Sequence, residues 1–166
     1  FPFLILLLII NINFSSIKIL LLLFTSTGFF LIGFLDDYLS IKNKKNTGLK
    51  SKEKLILQCL ISMIFIFLAS SNGFINPLII ISKNLEINTK LLIFPISFFT
   101  LVGLSNSVNL TDGLDGLASG CSSIVFFGLG TEILLKGQQE LIIFSILCYA
   151  MSGLCLGFLK YNKYPA

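Results

Sequence analysis

Long apolar segments alternate with short polar ones along the chain, and each long segment approaches the length of a membrane-spanning helix. Five stand out, at residues 17–35, 55–69, 91–104, 121–135 and 141–159. A helix needs about 20 mostly apolar residues to cross a bilayer. Residues 1–10 are also apolar, but they lack a basic leader and are interpreted as the end of a preceding helix. The pattern predicts an all-α integral membrane protein, a polytopic helical bundle with about five to six transmembrane helices.

Residues 74–90 interrupt this pattern between the second and third spans. Short apolar runs there flank Ser82, Lys83 and Asn84, and Pro77 argues against a helix. Two short apolar runs around a polar turn are typical of a β-hairpin. We therefore expect a small extracytoplasmic β-hairpin outside the bilayer.

Composition supports a membrane location and restricts the chemistry. Hydrophobic residues make up 55% of the 166 residues and charged residues 12%, about half the share in soluble domains. There is no His, and no Cys-x-x-Cys pair, so a zinc site is not expected. The expected partner is the lipid bilayer, and nothing indicates nucleic acid. Because the chain opens on Phe1 and stops at Ala166 just after an apolar segment, we expect one membrane domain, residues 1–166, truncated at both ends.

The lysines predict how the helices are oriented. If residues 36–54 are cytoplasmic, residues 106–120 and 160–166 are cytoplasmic too, because each span reverses the direction of the chain. Eight of the twelve basic residues then face the cytoplasm, as the positive-inside rule requires. These eight are Lys42, Lys44, Lys45, Lys50, Lys52, Lys54, Lys160 and Lys163. Both aspartate-bearing segments of the chain are thereby predicted to lie at one face of the membrane.

The first aspartate-bearing segment is Asp36-Asp37, directly after the apolar residues 17–35. Adjacent carboxylates repel each other, and the C-terminal end of a helix dipole disfavours them further. One interpretation is a metal or phosphate-handling site, in which one carboxylate binds Mg²⁺ or acts as a base. The other is a solvated helix end that faces the cytoplasmic lysines. The pair alone is compatible with both.

The second segment, residues 105–117, is more informative. Side chains with amide or carboxylate oxygens recur at every third position, and on a helix they would form one stripe. They are Asn106, Asn109, Asp112 and Asp115. Gly113 and Gly116 remove bulk beside the aspartates, and Thr111 adds a hydroxyl. Such oxygen ligands suit Mg²⁺, which often shares itself with substrate phosphate. The alternative is an Asp-Gly turn between two membrane helices, but the threefold spacing favours a functional site.

The lysines between residues 42 and 54 border the first segment. They help to set the orientation of the helices in the membrane, and they attract anionic lipids. A sharper hypothesis is that one or two of them reach phosphate at the site. Spacing does not identify which.

Three segments together resemble the phospho-N-acetylmuramoyl-pentapeptide-transferase family (translocase I), within the polyprenyl-phosphate N-acetylhexosamine-1-phosphate transferases. They are Gly-Phe-Leu-Asp-Asp-Tyr at 33–38 with Gly-Leu-Lys-Ser-Lys at 48–52, Asn-Ser-Val-Asn-Leu-Thr-Asp-Gly-Leu-Asp-Gly-Leu-Ala at 106–118, and Gly-Phe-Leu-Lys-Tyr-Asn-Lys-Tyr-Pro-Ala at 157–166. The middle segment is the most specific, since related transferases share only its Asp-Gly-x-Asp-Gly core. The likeness covers nearly the whole chain.

The resemblance implies a Mg²⁺-dependent glycosyl-1-phosphate transferase of the bacterial plasma membrane, or of a plastid inner membrane, with a cytoplasmic active site. Such enzymes are normally homodimers. They transfer phospho-MurNAc-pentapeptide from UDP-MurNAc-pentapeptide to undecaprenyl phosphate, which gives lipid I and UMP in peptidoglycan synthesis. By position, the resemblance implies the catalytic acids Asp36, Asp37 and Asp115, with Asp36 as the candidate base that deprotonates the lipid phosphate.

Further roles are implied by position in the same way. The expected metal ligands are Asp37, Asp112 and Asp115. The expected substrate-binding residues are Lys52, Asn106, Asn109, Thr111, Asp112 and Gly113, with Lys52 as the phosphate-binding lysine.

Two departures from the family pattern matter. The family carries Lys four residues after its first aspartate, where this chain has Ser40, with Lys42 nearby. The chain also stops before the family's Met-Gly-Asp motif, which bears a third metal aspartate, and before its His-rich loop. We therefore expect the 166-residue chain by itself to be inactive.

Two rival functions stay open. A sister enzyme would transfer N-acetylglucosamine-1-phosphate to a polyprenyl phosphate. A non-catalytic, transporter-like membrane protein would bind a coupling ion, although its acids would be expected at mid-bilayer rather than at helix ends.

Overall fold

The computed structural model describes residues 17–43, 48–82 and 85–162, and helices dominate this part of the chain. The helices are α1 (Ile17–Asn43), α2 (Ser51–Ser71), α3 (Ile93–Thr111), α4 (Leu117–Leu135) and α5 (Ile142–Leu159). A 3₁₀ turn precedes α3 at Lys90–Leu92 and another precedes α5 at Gln139–Leu141. All five α-helices are long and apolar enough to cross a membrane, α3 when counted with its preceding turn. The predicted all-α polytopic membrane fold is confirmed.

Helix α1 is longer than its apolar segment predicts. It spans 27 residues, about 40 Å at 1.5 Å per residue, against a hydrocarbon core of about 30 Å. The expectation that Asp36 and Asp37 stand at a helix end is wrong, since α1 continues through both to Asn43. Hydropathy reports where the bilayer ends, whereas the backbone hydrogen bonds of a helix continue into the polar region without a break.

The predicted β-hairpin is present. Strands β1 (Leu78–Ser82) and β2 (Leu85–Asn88) pair antiparallel, with Leu78 opposite Asn88. Thr89 closes the base of the hairpin, because its backbone N–H and its hydroxyl both donate to the carbonyl oxygen of Pro77, at 2.9 and 2.7 Å. The placement of the hairpin on the extracytoplasmic side stays a prediction.

The chain divides into two compact units within α3, after Ser105. In the unit before this boundary, α1 packs against α2. Gly28 of α1 permits a close approach, since a Cβ added there would lie 2.8 Å from Cδ1 of Ile61. Ile32 of α1 and Ile66 of α2 are among the buried residues of this unit.

In the unit after the boundary, α4 packs against α5 through small and polar side chains. The hydroxyl of Ser145 donates to the carbonyl oxygen of Gly130 at 2.7 Å, and that of Ser152 to the carbonyl oxygen of Ser123 at 2.8 Å. Helices in lipid associate by close packing and such hydrogen bonds, because burying apolar surface gains nothing when the solvent is itself apolar.

Candidate active site

Both carboxylate oxygens of Asp36 have partners from the start of α2 and the residues before it. The ammonium group of Lys54 lies 2.8 Å from Oδ2, and the backbone N–H of Leu49 donates to Oδ1 at 2.9 Å. The side chains of Lys54 and Asp36 keep only 18% and 23% of their exposure, so the pair is partly shielded from water. These contacts hold the carboxylate in one orientation at the end of the first apolar span.

Gly48 allows the chain to pass this closely over α1. A Cβ on residue 48 would collide with the backbone carbonyl oxygen of Asp36 and with its Oδ1 atom. Since the nearer of the two is a backbone oxygen of α1, it cannot rotate away to make room. Glycine is therefore required at this position for the Leu49 N–H to reach Asp36.

The first turn of α2 orients Lys54 toward Asp36. The Glu53 side chain accepts a hydrogen bond from the backbone N–H of Lys50 at 3.1 Å, and the N–H of Lys54 donates to the carbonyl oxygen of Lys50 at 3.0 Å. Lys52 lies in the same turn and is exposed. The lysine that the structure brings to the first aspartate is thus Lys54, to which the sequence assigned no specific role.

Asp37 is the second acid of the pair and has a different environment. It follows Asp36 on α1, about 100° further round the helix, and it is exposed. Asp36 is half-buried and held by Lys54, while Asp37 presents its carboxylate outward. The two adjacent acids are therefore not equivalent, a difference that sequence alone does not reveal.

The Asn106 to Asp115 series is only partly helical. Asn106 and Asn109 lie on α3, which ends at Thr111, and the backbone N–H of Asp112 still donates to the carbonyl oxygen of Val108 at 3.1 Å. Residues 112–116 then form the turn to α4. The predicted single stripe is wrong for Asp115, which lies in this turn.

Gly113 and Gly116 account for the interruption of the helix between α3 and α4. The N–H of Gly113 donates to the carbonyl oxygen of Leu110, three residues back rather than four, at a long distance of 3.4 Å. Gly116, the residue before α4, has a φ of +75°. The left-handed conformation of Gly116 lets α4 start in a new direction. A residue with a side chain would adopt this conformation at a cost of about 1–2 kcal/mol. The segment is thus an Asp-Gly turn between two helices, the arrangement that the threefold spacing alone disfavours.

The turn presents its acids outward. Asn109, Asp112, Gly113 and Asp115 are exposed, and Asn106 is half-buried. The hydroxyl of Thr111 donates to the carbonyl oxygen of Ser107 at 2.8 Å, one turn earlier in α3. Its oxygen can still accept a hydrogen bond, so Thr111 would meet a ligand as an acceptor.

The donor set suits a hard cation. Carboxylate and amide oxygens are the ligands that Mg²⁺ prefers, and Asp37, Asp112 and Asp115 expose carboxylates. Within residues 17–43, 48–82 and 85–162, no three His, Cys, Asp or Glu side chains are grouped closely enough to hold a metal by themselves.

Comparison with known proteins decides the family. The family model described as glycosyl transferase family 4 matches residues 19–166, which include both aspartate segments. The chain belongs to this family.

Curated relatives extend the likeness along nearly the whole chain. Phospho-N-acetylmuramoyl-pentapeptide-transferase of Prochlorococcus marinus strain MIT 9215 is 71% identical over 165 residues, which are 99% of this chain and 46% of the relative. The protein of that name from strain NATL2A is 48% identical over 153 residues, 89% of this chain and 40% of the relative. The protein of that name from Synechococcus sp. strain CC9605 is 40% identical over 152 residues, which are 92% of this chain and 43% of the relative. The resemblance drawn from the motifs is confirmed, and the chain spans less than half the length of these relatives.

Proposed function

We propose that the protein transfers phospho-MurNAc-pentapeptide from UDP-MurNAc-pentapeptide to undecaprenyl phosphate, which forms lipid I and releases UMP. The observation that carries this proposal is the similarity to transferases of that name across 99% of the chain, both aspartate segments included. The geometry supports it, because a transfer between a lipid phosphate and a nucleotide sugar needs anchored charges at the end of a membrane span. Asp36 and Lys54 provide one such fixed pair.

In this proposal the two acids of the first segment have different roles. Asp36 is the base toward the lipid phosphate. Leu49 donates one hydrogen bond to Oδ1 and Lys54 donates one to Oδ2. Each carboxylate oxygen therefore keeps a second lone pair that can accept a proton. Asp37 would serve as a metal ligand, since its carboxylate is exposed beside the anchored pair. Lys52, exposed in the first turn of α2, binds substrate phosphate.

The second segment handles the nucleotide and its diphosphate. Asp112 and Asp115 would hold the cation with Asp37, and Asn106, Asn109 and Thr111 would bind the substrate. Gly113 leaves room for it, since a Cβ at that position meets only the carbonyl oxygen of Leu110, at 3.4 Å. When bound, Mg²⁺ would neutralise charge on the diphosphate. Positioning and charge neutralisation are the main demands of phosphoryl transfer.

The proposed setting is a bacterial plasma membrane with the site at its cytoplasmic face, in a homodimer. A polyprenyl acceptor supports an interfacial site, because its phosphate lies at the lipid–water boundary while its tail stays in the bilayer.

The test uses the protein expressed from its complete reading frame and purified in detergent. It is supplied with Mg²⁺, undecaprenyl phosphate and either UDP-MurNAc-pentapeptide or UDP-GlcNAc, and UMP release and lipid product are measured. We expect UMP and lipid I from the first donor only. Turnover with UDP-GlcNAc alone would identify the sister transferase, and no turnover with either donor would contradict the proposal.

A further inference from the structure

Helix α2 carries a row of polar side chains along a single face. Lys54, Gln58 and Ser62 follow one another at four-residue intervals, so they lie on successive turns of the same side. Gln58 keeps 2% of its exposure and Ser62 none, although both belong to a membrane-spanning helix. A buried amide is costly in an apolar environment unless it is hydrogen-bonded, which makes its partner informative.

Gln58 reaches across to α3. Its side-chain Nε2 atom donates to the hydroxyl oxygen of Ser105 at 3.3 Å, a link between residues 47 positions apart. Ser105 is followed directly by Asn106, and Asn109 lies on the next turn of α3. The bond therefore acts on α3 at the point where its functional side chains begin.

One helix thus contacts both elements that carry the proposed site residues. Lys54 holds Asp36 of α1, and one turn later Gln58 holds Ser105 of α3. A helix that is free to rotate about its axis would swing its side chains sideways, and a rotation of 20° displaces a group 6 Å from the axis by about 2 Å. Displacements of about 1 Å at a reacting centre are enough to cost about a hundredfold in rate.

We propose that Gln58 is a positioning residue for the transfer reaction, which fixes the rotation of α3 and with it the direction of Asn106 and Asn109. The inference rests on the proposed function for its kinetic consequences. Gln58 is buried, and it acts through its hydrogen bond to Ser105. Its expected effect is that of one interhelical hydrogen bond in a membrane protein, about three- to fifteenfold in rate.

Ser62 provides the matched comparison. It lies one turn beyond Gln58 on the same face and is completely buried, yet its hydroxyl has no hydrogen-bond partner among the described residues. Ser62→Ala removes a buried polar group of α2 without breaking a bond to α3. It should leave the kinetics unchanged and keep or slightly raise the melting temperature.

The experiment is a double-mutant cycle in the protein from its complete reading frame. Gln58→Met keeps the side-chain length and favours membrane insertion, Ser105→Ala removes the acceptor, and Ser105→Thr retains a hydroxyl. We expect Gln58→Met and Ser105→Ala each to lower kcat about three- to fifteenfold. The double variant should be no slower than either single one, and Ser105→Thr should stay near the unmodified rate.

Hydrogen exchange separates this inference from the proposed function. In Gln58→Met, amides of residues 106–116 should exchange faster, while those of α2 and the melting temperature stay close to the unmodified protein. If the unmodified protein turns over and Gln58→Met matches it in kcat and in exchange, the positioning role is overturned. If the unmodified protein shows no turnover, the proposed function fails, and unchanged exchange at 106–116 would then overturn the positioning role as well.

Discussion

The ammonium nitrogen of Lys54 lies 2.8 Å from Oδ2 of Asp36, although 18 residues separate the two along the chain. The contact links the end of the first apolar span to the start of the second helix. It also makes Asp36 chemically different from its neighbour Asp37. Among the lysines between residues 42 and 54 that the structure describes, Lys54 is the one paired with an acid of the proposed site.

Breaking this pair should slow the reaction by about fivefold, since a partly exposed ion pair contributes up to about 1 kcal/mol. We expect that loss of kcat for Lys54→Met. Asp36→Asn should lose about 10²–10⁴-fold, the usual contribution of a general base. Because Lys54 acts through Asp36, the double variant should be no slower than Asp36→Asn alone. UMP release by the purified variants measures this.

A second ion pair of the chain provides the control. Lys136 lies 2.9 Å from Glu132 within α4, in an exposed position. Lys136→Met should leave kcat unchanged. Equal rates for Lys54→Met and Lys136→Met would remove Lys54 from the site.

Gly48→Ala tests the close passage of the chain over α1. A methyl group there would meet two oxygens of Asp36, and overpacking of this kind costs about 1–3 kcal/mol. We expect a lower melting temperature and at least the fivefold loss of kcat expected for Lys54→Met, because Leu49 and Asp36 are forced apart. Thermal unfolding in detergent can be followed with a thiol-reactive dye, since the four cysteines are free.

Gly33→Ala is the matched control for that substitution. Gly33 also lies close to Asp36 in sequence, on α1, but a Cβ there has no neighbour within 4 Å. We expect an unchanged kcat and an unchanged or slightly raised melting temperature. The interpretation of Gly48 would be wrong if the two alanine variants behaved alike.

Much of this fold follows from hydropathy, and the reasons for the exceptions are local. Five apolar runs predict five spans because the bilayer imposes their length, and Pro77 with its flanking short runs predicts the hairpin. The continuation of α1 past Asp36 was missed because helix hydrogen bonds do not depend on hydropathy. Lys54 could not be selected among neighbouring lysines, since its choice depends on how Gly48 lets the chain fold back.

The second aspartate segment shows the same limit. Asn106 and Asn109 lie on α3 as the threefold spacing predicts, and the backbone N–H of Asp112 still donates to the carbonyl oxygen of Val108 just after the helix ends. Asp115 departs from the stripe because Gly113 and Gly116 end one helix and start another. The sequence suggests that both glycines leave room for a ligand, whereas the positive φ of Gly116 gives this residue a structural role in the turn.

Asp112→Asn and Asp115→Asn should each reduce kcat about a hundredfold or more while membrane insertion stays intact. Each change removes a charge that would face Mg²⁺, and loss of a preorganised electrostatic contact in a transition state costs about 10²–10³-fold. Chelation with EDTA should abolish turnover, and Mg²⁺ should restore it. The Mg²⁺ concentration needed for half-maximal activity should rise in Asp112→Asn.

Glu132→Gln provides the control for a lost carboxylate, because Glu132 is exposed near the end of α4 and pairs with Lys136. It should keep both kcat and the Mg²⁺ requirement. Near-normal rates in both aspartate variants would remove these residues from the site.

The shared membrane face of the two segments can be tested by labelling. Single cysteines replace the exposed Tyr38 and Leu114 in a background without the four native cysteines. We expect an impermeant maleimide to react with both only after the cytoplasmic face is opened. A cysteine in place of Lys136, which the lysine distribution puts on the other side, should react from outside. Opposite accessibility of positions 38 and 114 would contradict the single site.

Gly130→Ala should destabilise the pairing of α4 with α5 without touching the proposed site. A Cβ at residue 130 would lie 3.2 Å from Cβ of Cys148 and 3.2 Å from a ring carbon of Tyr149, tighter than ordinary packing. It would also press on the backbone oxygen of Ser145, whose hydroxyl donates to Gly130. We expect a loss of about 1–3 kcal/mol, seen as a lower melting temperature.

Gly128→Ala separates packing from helix propensity. Gly128 lies two residues earlier on α4, and a Cβ there has no neighbour within 4 Å, so the substitution adds the same methyl group to the same helix without a clash. Its melting temperature should stay level or rise, because alanine is favoured over glycine within a helix. Equal destabilisation by the two alanines would mean that α4 and α5 do not approach each other at Gly130, and the close packing described for this pair would be wrong.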